Sequence, residues 1–264
     1  MNAIYKVIYN ASTQTFQAVS EIGKSHQSHS QKSQPQTPTR LIGAVLKLAS
    51  RGSSLLALSI TLLLAQTANA APTGGQVVAG VADINQTALT TNINQTSQNA
   101  AINWQNFGIA HNETVNFNQP SSQAVTLNRV LGHETSVIDG AMRANGKVFI
   151  TNPNGVLIGK DAQINVGSLL ATTAHISNDD LMAGRYRFDN ANAGIINALR
   201  DGTGKIVQLG QISVPKGGSV ALIAPIVDNQ GTITAIEGNV LLASADKFSV
   251  KLDGERLGYT LDKG

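Results

Sequence analysis

Side chains able to do chemistry are sparse in this 264-residue chain. Past the first 70 residues the histidines are His111, His133 and His175, and the chain has no cysteine. No two of these histidines stand four residues apart, so the helix-borne pair of a zinc hydrolase is missing and no metal site is expected. Gly202-Thr203-Gly204-Lys205 resembles a phosphate loop. It fails because Ile206 follows the lysine and Leu199 stands where the first glycine belongs. No G-x-S-x-G elbow occurs. Asn85, Asn94 and Asn112 open glycosylation-type triplets, which a chain rich in Asn and Thr produces by chance. Without an acid/base pair or a nucleophile, neither catalysis nor a cofactor is expected.

One short constellation remains, Ile150-Thr151-Asn152-Pro153-Asn154-Gly155. The Asn152 side chain can accept a backbone N–H, and Pro153 fixes φ for the second position of a turn. Asn154 tolerates either helical region, and Gly155 relieves crowding at the exit. These are the residues of a type I or type II turn. Lys147-Val148-Phe149-Ile150 precedes it and Val156-Leu157-Ile158 follows. Both runs are short, β-rich and bounded by Gly or Pro, so they read as buried strands. On local grounds the motif is a corner between strands.

The N-terminus sets the compartment. Residues 55–65, LLALSITLLLA, form an apolar run too short for a membrane-spanning helix. Basic residues precede it, and Ala68-Asn69-Ala70 follows as an A-x-A cleavage signal. Cleavage is expected between Ala70 and Ala71, after export by the Sec machinery. The segment before the apolar run is itself about 50 residues long, against about 15–30 for a whole ordinary signal peptide. Within it, residues 25–39 are polar, low in complexity and linker-like.

Removing this leader reverses the charge. The whole chain has 19 basic and 16 acidic residues. The leader takes Lys6, Lys24, Lys32, Arg40, Lys47, Arg51 and Glu21, leaving 13 basic against 15 acidic, a net of −2. The isoelectric point near 9.2 belongs to the leader, and no basic patch supports nucleic-acid binding. Disulfides are absent from a chain bound for an oxidising compartment, which suits a polypeptide that crosses a second membrane unfolded.

Residues 71–264 read as one all-β domain. Gly218-Ser219-Val220-Ala221-Leu222-Ile223-Ala224 is echoed by Gly238-Asn239-Val240-Leu241-Leu242-Ala243-Ser244, 20 residues later. A second echo, Asn-x-Gly followed by Ile or Leu, occurs at Asn165, Asn192 and Asn229. A period near 20 with short strands means a solenoid, and the lack of leucine at fixed offsets points to a parallel β-helix. Val148, Ile150, Val220, Leu222, Val240 and Leu242 are expected to point inward. An open coil end exposes unpaired backbone, so residues 76–118 are expected to cap the N-terminal end. The charged stretch 175–203 is expected to lie outside the coils. The strand pattern still runs at Leu261-Asp262-Lys263-Gly264, and continuation of the protein beyond Gly264 is expected.

The stretch INWQNFGIAHNETVNFNQPSSQAVTLNRV, with ANGKVFITNPNGVLIGKDAQINVGSLLATTAHIS after it, carries a resemblance. It is similar to the N-terminal secretion domain of two-partner-secretion exoproteins, the filamentous haemagglutinin family, in the branch of the high-molecular-weight adhesins. The leader resembles the extended signal-peptide region of very large type V secretion proteins. The resemblance implies a right-handed parallel β-helix with an N-terminal cap and extra-helical β elements. It implies a non-catalytic domain on a Gram-negative surface protein. It also implies an outer-membrane β-barrel partner of the TpsB/Omp85 type, whose POTRA domains bind this domain. The family's NPNG motif falls on Asn152, Pro153, Asn154 and Gly155; its NPNL motif is absent. Adhesion, haemolysis, toxicity or contact with a host cell surface would lie downstream. The competing reading is a β-helix polysaccharide lyase or hydrolase, which needs Asp, Arg and Lys arrayed along one face. Here the outward positions read mostly as Ser, Thr, Asn and Ala.

Overall fold

The computed structural model describes residues 5–10, 15–20, 71–189, 204–245, 247–254 and 256–261. In the leader, β1 (Tyr5–Asn10) and β2 (Thr15–Ser20) form a two-stranded sheet. Ala68 and Ala70 of the expected cleavage signal lie outside the described residues; Ala71 is described and half-buried.

From Gln76 onward the chain winds into short strands. In order they are β3 (Gln76–Ala79), β4 (Ala82–Gln86), β5 (Thr90–Gln95), β6 (Asn99–Trp104), β7 (Thr114–Asn118), β8 (Val125–Val130) and β9 (Ser136–Ile138). Then come β10 (Ala141–Ala144), β11 (Lys147–Thr151), β12 (Val156–Ile158), β13 (Gln163–Asn165) and β14 (Ser168–Thr172). After α1 (Asn178–Met182) follow β15 (Tyr186–Asp189), β16 (Lys205–Gln208), β17 (Gln211–Val214), β18 (Ser219–Ile223) and β19 (Ile226–Asn229). The last are β20 (Thr232–Ala235), β21 (Asn239–Ala243), β22 (Lys247–Asp253) and β23 (Arg256–Leu261).

Strands one coil apart pair in parallel and build three faces. The first face runs β20-β17-β13-β10-β7-β5-β4, the second β21-β18-β14-β11-β8-β6-β3 and the third β19-β16-β12-β9. The result is a parallel β-solenoid of about six turns. Val220 stands opposite Val240 and Leu222 opposite Leu242, the register of the 20-residue echo. One step is long: Leu169 pairs with Val148 below it and with Val220 above it, 21 and 51 residues away. The extra chain contains α1 and β15, which leave the three faces.

The Asn-x-Gly echo is not a coil repeat. A Cβ on Gly167 would press on the Gly146 carbonyl, and one on Gly231 would press on the Gly210 carbonyl. The two glycines therefore occupy corner columns of different registers. Residues 192–194 lie outside the described residues.

The N-terminal end is closed by antiparallel pairing. β3 runs against β6 and β4 against β5, while β5 and β6 already pair in parallel with β7 and β8. The antiparallel cover thus consists of two strands, and parallel coils begin at Thr90 inside the 76–118 stretch. Polar groups stand in the first interior layers. Trp104 Nε1 donates to Asn128 Oδ1 at 3.0 Å, and Gln119 Nε2 donates to Thr126 Oγ1 at 3.0 Å. Burial requires such partners, and β8 of the adjoining coil supplies them.

Farther along, the interior is aliphatic. Val148, Ile150, Val220 and Leu222 are buried, as their alternation requires. Val240 differs. It keeps the inward register above Val220 but is 48% exposed, because no described coil covers it.

The second face is buried on both sides. β8, β11, β14 and β18 have every residue buried. Their outward side chains are apolar at Leu127, Phe149, Leu170, Ala221 and Ile223, not the small polar residues read from the sequence. A three-stranded antiparallel sheet, β15-β22-β23, brings Tyr186, Phe188, Phe248, Val250 and Leu257 against them. Phe188 stacks on Phe248 with centroids 4.8 Å apart, and Phe149 meets Tyr186 edge-on at 5.6 Å. The extra-helical sheet is therefore half of a second core.

Candidate functional site

The ITNPNG corner joins β11 of the second face to β12 of the third. The Gly155 N–H donates to the Asn152 carbonyl at 2.9 Å, closing a four-residue turn. Glu237 is the only non-glycine with positive φ among the described residues, so Asn154 does not have the φ that type II demands. The turn is of type I, with Pro at its second position and Gly155, at φ 97°, leaving it.

The asparagines turn their side chains toward the coil below. Asn152 is fully buried. Its Nδ2 donates to the Glu134 carbonyl and to Ser136 Oγ, each at 3.0 Å. Its Oδ1 accepts from the Asn154 N–H at 2.9 Å and from Asn154 Nδ2 at 3.1 Å. Asn154 Nδ2 also donates to the Gly132 carbonyl at 3.0 Å, and Thr135 Oγ1 returns a bond to the Asn154 carbonyl at 3.0 Å. The corner is thus stitched to residues 132–136, one coil earlier.

The coil above completes the stack. The Asn152 N–H donates to the Thr172 carbonyl at 3.0 Å. A Cβ on Gly155 would collide with the Lys205 carbonyl, and one on Gly204 with the Pro153 carbonyl. Gly204-Lys205 is thereby part of the roof of this corner; Gly202 and Thr203 lie outside the described residues. β14 ends at Thr172 and β16 begins at Lys205, so the motif lies beneath the points where the chain leaves the second face and joins the third. Pro153 and Asn154 are half-buried and present what surface the motif has. The local sequence announced the turn. It could not announce Gly132, Glu134 and Ser136, which become neighbours only through coil stacking.

The excursion is held by a buried arginine. Arg129 Nη2 donates to the Ile176 carbonyl at 2.7 Å and to Asn178 Oδ1 at 2.9 Å, and its Nη1 to Asn103 Oδ1 at 3.0 Å. Burial lowers the Arg129 pKa from its usual value. Burial and the neighbouring Arg129 charge together lower that of His175. No single stretch of sequence identifies this anchor, because its partners lie 26 to 49 residues away.

A groove against the outer sheet is lined by His175, Asp180, Arg187, Asp189, Lys247 and neighbours. Its carboxylates are already engaged. Asp180 Oδ1 sits 2.7 Å from Arg185 Nε, and Asp189 Oδ2 sits 3.7 Å from Lys247 Nζ. The hydrogen bond from Arg185 is the main cause holding Asp180 below the usual carboxylate range. A glycosidase acid needs the opposite shift, so Asp180 is not placed to serve as one.

Comparison with known proteins matches this architecture. The TPS secretion domain family matches residues 66–257, and the Extended Signal Peptide of Type V secretion system matches residues 1–68. The crystal structure of the HMW1 secretion domain from Haemophilus influenzae superposes with a TM-score of 0.62 at 34% identity, covering 73% of this chain and 49% of that one. A heme/hemopexin-binding protein of Haemophilus influenzae strain Rd is 33% identical over 199 residues, 72% of this chain and 21% of its own length. Another Haemophilus influenzae heme/hemopexin-binding protein is 44% identical over 102 residues, covering 39% of this chain and 11% of that protein. The chain thus spans about a fifth or less of the curated relatives it matches. A solenoid stitched across its coils and carried behind a type V leader is a device of export. The chain belongs to the TPS secretion domain family, as the secretion domain of a TpsA exoprotein that leaves the cell by Sec export and passage through the outer membrane.

Proposed function

We propose that this domain is recognised in the periplasm by the POTRA domains of a TpsB/Omp85-type outer-membrane barrel, and that it then nucleates folding at the cell surface. The observation that supports this most is the ITNPNG corner, whose side-chain and backbone bonds reach the coil below and the coil above. Those bonds form only when successive coils have emerged and stacked. Each coil that closes outside opposes backsliding through the pore. In this reading Asn152, Pro153, Asn154 and Gly155 serve export by fixing the shape of the coil. Full burial of Asn152 favours that role over direct reading by the transporter.

The exported cargo is an adhesin or contact-dependent toxin whose activity resides in downstream sequence. The relatives are described as heme/hemopexin-binding, which favours a cargo that contacts a host protein. Cleavage between Ala70 and Ala71 frees the domain from its leader.

The test is export with and without the barrel. Cells expressing the exoprotein with its cognate barrel should release it or display it on the surface. Cells lacking the barrel should retain the processed protein in the periplasm. Equal release from both would contradict recognition by such a transporter.

A further inference from the structure

Three residues that the sequence keeps far apart meet at one corner of the solenoid. His111 follows β6, Asp139 lies between β9 and β10, and Asp161 lies between β12 and β13. They belong to three successive coils. One ligand atom from each, an imidazole nitrogen and two carboxylate oxygens, lies within 4.8 Å of the other two. His111 Nδ1 is 3.6 Å from Asp161 Oδ2. The Asp161 N–H donates to Asp139 Oδ1 at 3.3 Å, and Gly159 leaves room for that carboxylate, which a Cβ there would strike.

We propose that His111, Asp139 and Asp161 form a site for a divalent transition metal of the zinc type, which staples the first three coils together. The donor set decides the class of ion. Calcium and magnesium prefer oxygen alone, whereas one imidazole with two carboxylates suits zinc and its borderline neighbours. Ligands on a tetrahedral zinc at about 2.0–2.2 Å stand roughly 3.4 Å apart. The cluster therefore needs a modest contraction, and His111, with its side chain 72% exposed, is free to make it. Lys160 Nζ, 3.8 Å from Asp161 Oδ2, is the resident competitor, and its side chain is 81% exposed and able to swing away. Water completes the coordination on the solvent side.

The site couples metal to folding. Its ligands span residues 111 to 161 and come together only when three coils have stacked, so an unfolded chain in transit offers nothing comparable. Binding to the folded form alone shifts the equilibrium toward it. Residue spacing gives no sign of such a site, because the ligands follow the coil period rather than a helical one.

The experiment is a zinc titration of the protein recovered from the medium and stripped with chelator, read by calorimetry and by the thermal midpoint. One zinc per chain is expected, with a raised midpoint that chelator reverses. His111→Ala and Asp139→Asn should each weaken binding at least tenfold and abolish the midpoint shift, while far-UV circular dichroism of the metal-free variants stays unchanged. His133→Ala, at a different corner, should bind as the parent does. Absence of zinc binding, undiminished binding in His111→Ala, or tighter binding of calcium than zinc would each overturn the proposal.

Discussion

The solenoid has two cores that share one wall. Inside the coils, ladders such as Val148, Leu169 and Val220 stack aliphatic on aliphatic, one coil above another. Outside the same sheet, Phe149 meets Tyr186 and Phe188, and Phe188 stacks on Phe248. The inner core repeats because a parallel coil returns the same position to the same place. The outer core is assembled once, from β15 before the excursion returns and β22-β23 at the far end, so it uses large aromatic rings to fill an irregular gap. Repetition makes a core extensible; a covering sheet fixes one part of it.

The largest separation of the two cores should come from truncations on the shared sheet. Phe149→Ala empties the outer core and is expected to cost about 3–5 kcal/mol. It should loosen β15, β22 and β23, read as faster amide exchange there than in the coils. Leu222→Ala, on the opposite side of the same sheet, should cost about 2–5 kcal/mol and lower the urea midpoint of the coils themselves. Equal exchange everywhere in both variants would merge the two cores into one cooperative unit.

A smaller effect should mark the seam where the excursion leaves. The pKa of His175 is lowered in the fold, first by burial and then by Arg129. The unfolded chain therefore binds the proton more readily than the folded one, and stability falls as pH drops through the unfolded histidine value near 6.5 toward the lower folded value. Unfolding midpoints measured across that range should decline less in His175→Gln than in the parent. An identical slope in both would remove His175 from the account.

The same contrast explains what the sequence revealed. The 20-residue echo from Val220 to Val240 located the inner ladder because stacking in register writes itself into the chain as a period. Ile102 and Trp104, and Val115 and Phe117, alternate with polar neighbours near the N-terminal end, and all four are buried. The outer core left only a subtler sign. β14 reads SLLAT and β18 reads SVALI, unbroken runs that a sheet buried on both sides produces. The charge of 175–203 marked β15 as lying outside the coils, but β22 and β23 carry no matching repeat, so their place in the cover was not legible. Asn-x-Gly misled as a repeat because glycine serves any corner where a carbonyl approaches closely. Val240 keeps the inward register as expected yet stays half-exposed, because register sets direction while burial also needs a coil above.

The corner sits between these regimes. Its turn was written locally in Asn152-Pro153-Asn154-Gly155, but its partners at Gly132, Glu134 and Ser136 are a product of the stack. The central claim is that the corner supports export by shaping the coils. Urea unfolding of refolded Asn152→Ala, measured beside its export through the cognate barrel, tests this most directly. The variant should lose about 1–3 kcal/mol of stability, because the partners of a buried amide are left unpaired, and its export should fall in step. Unchanged stability together with lost export would contradict the claim and make the asparagine a feature that the transporter reads.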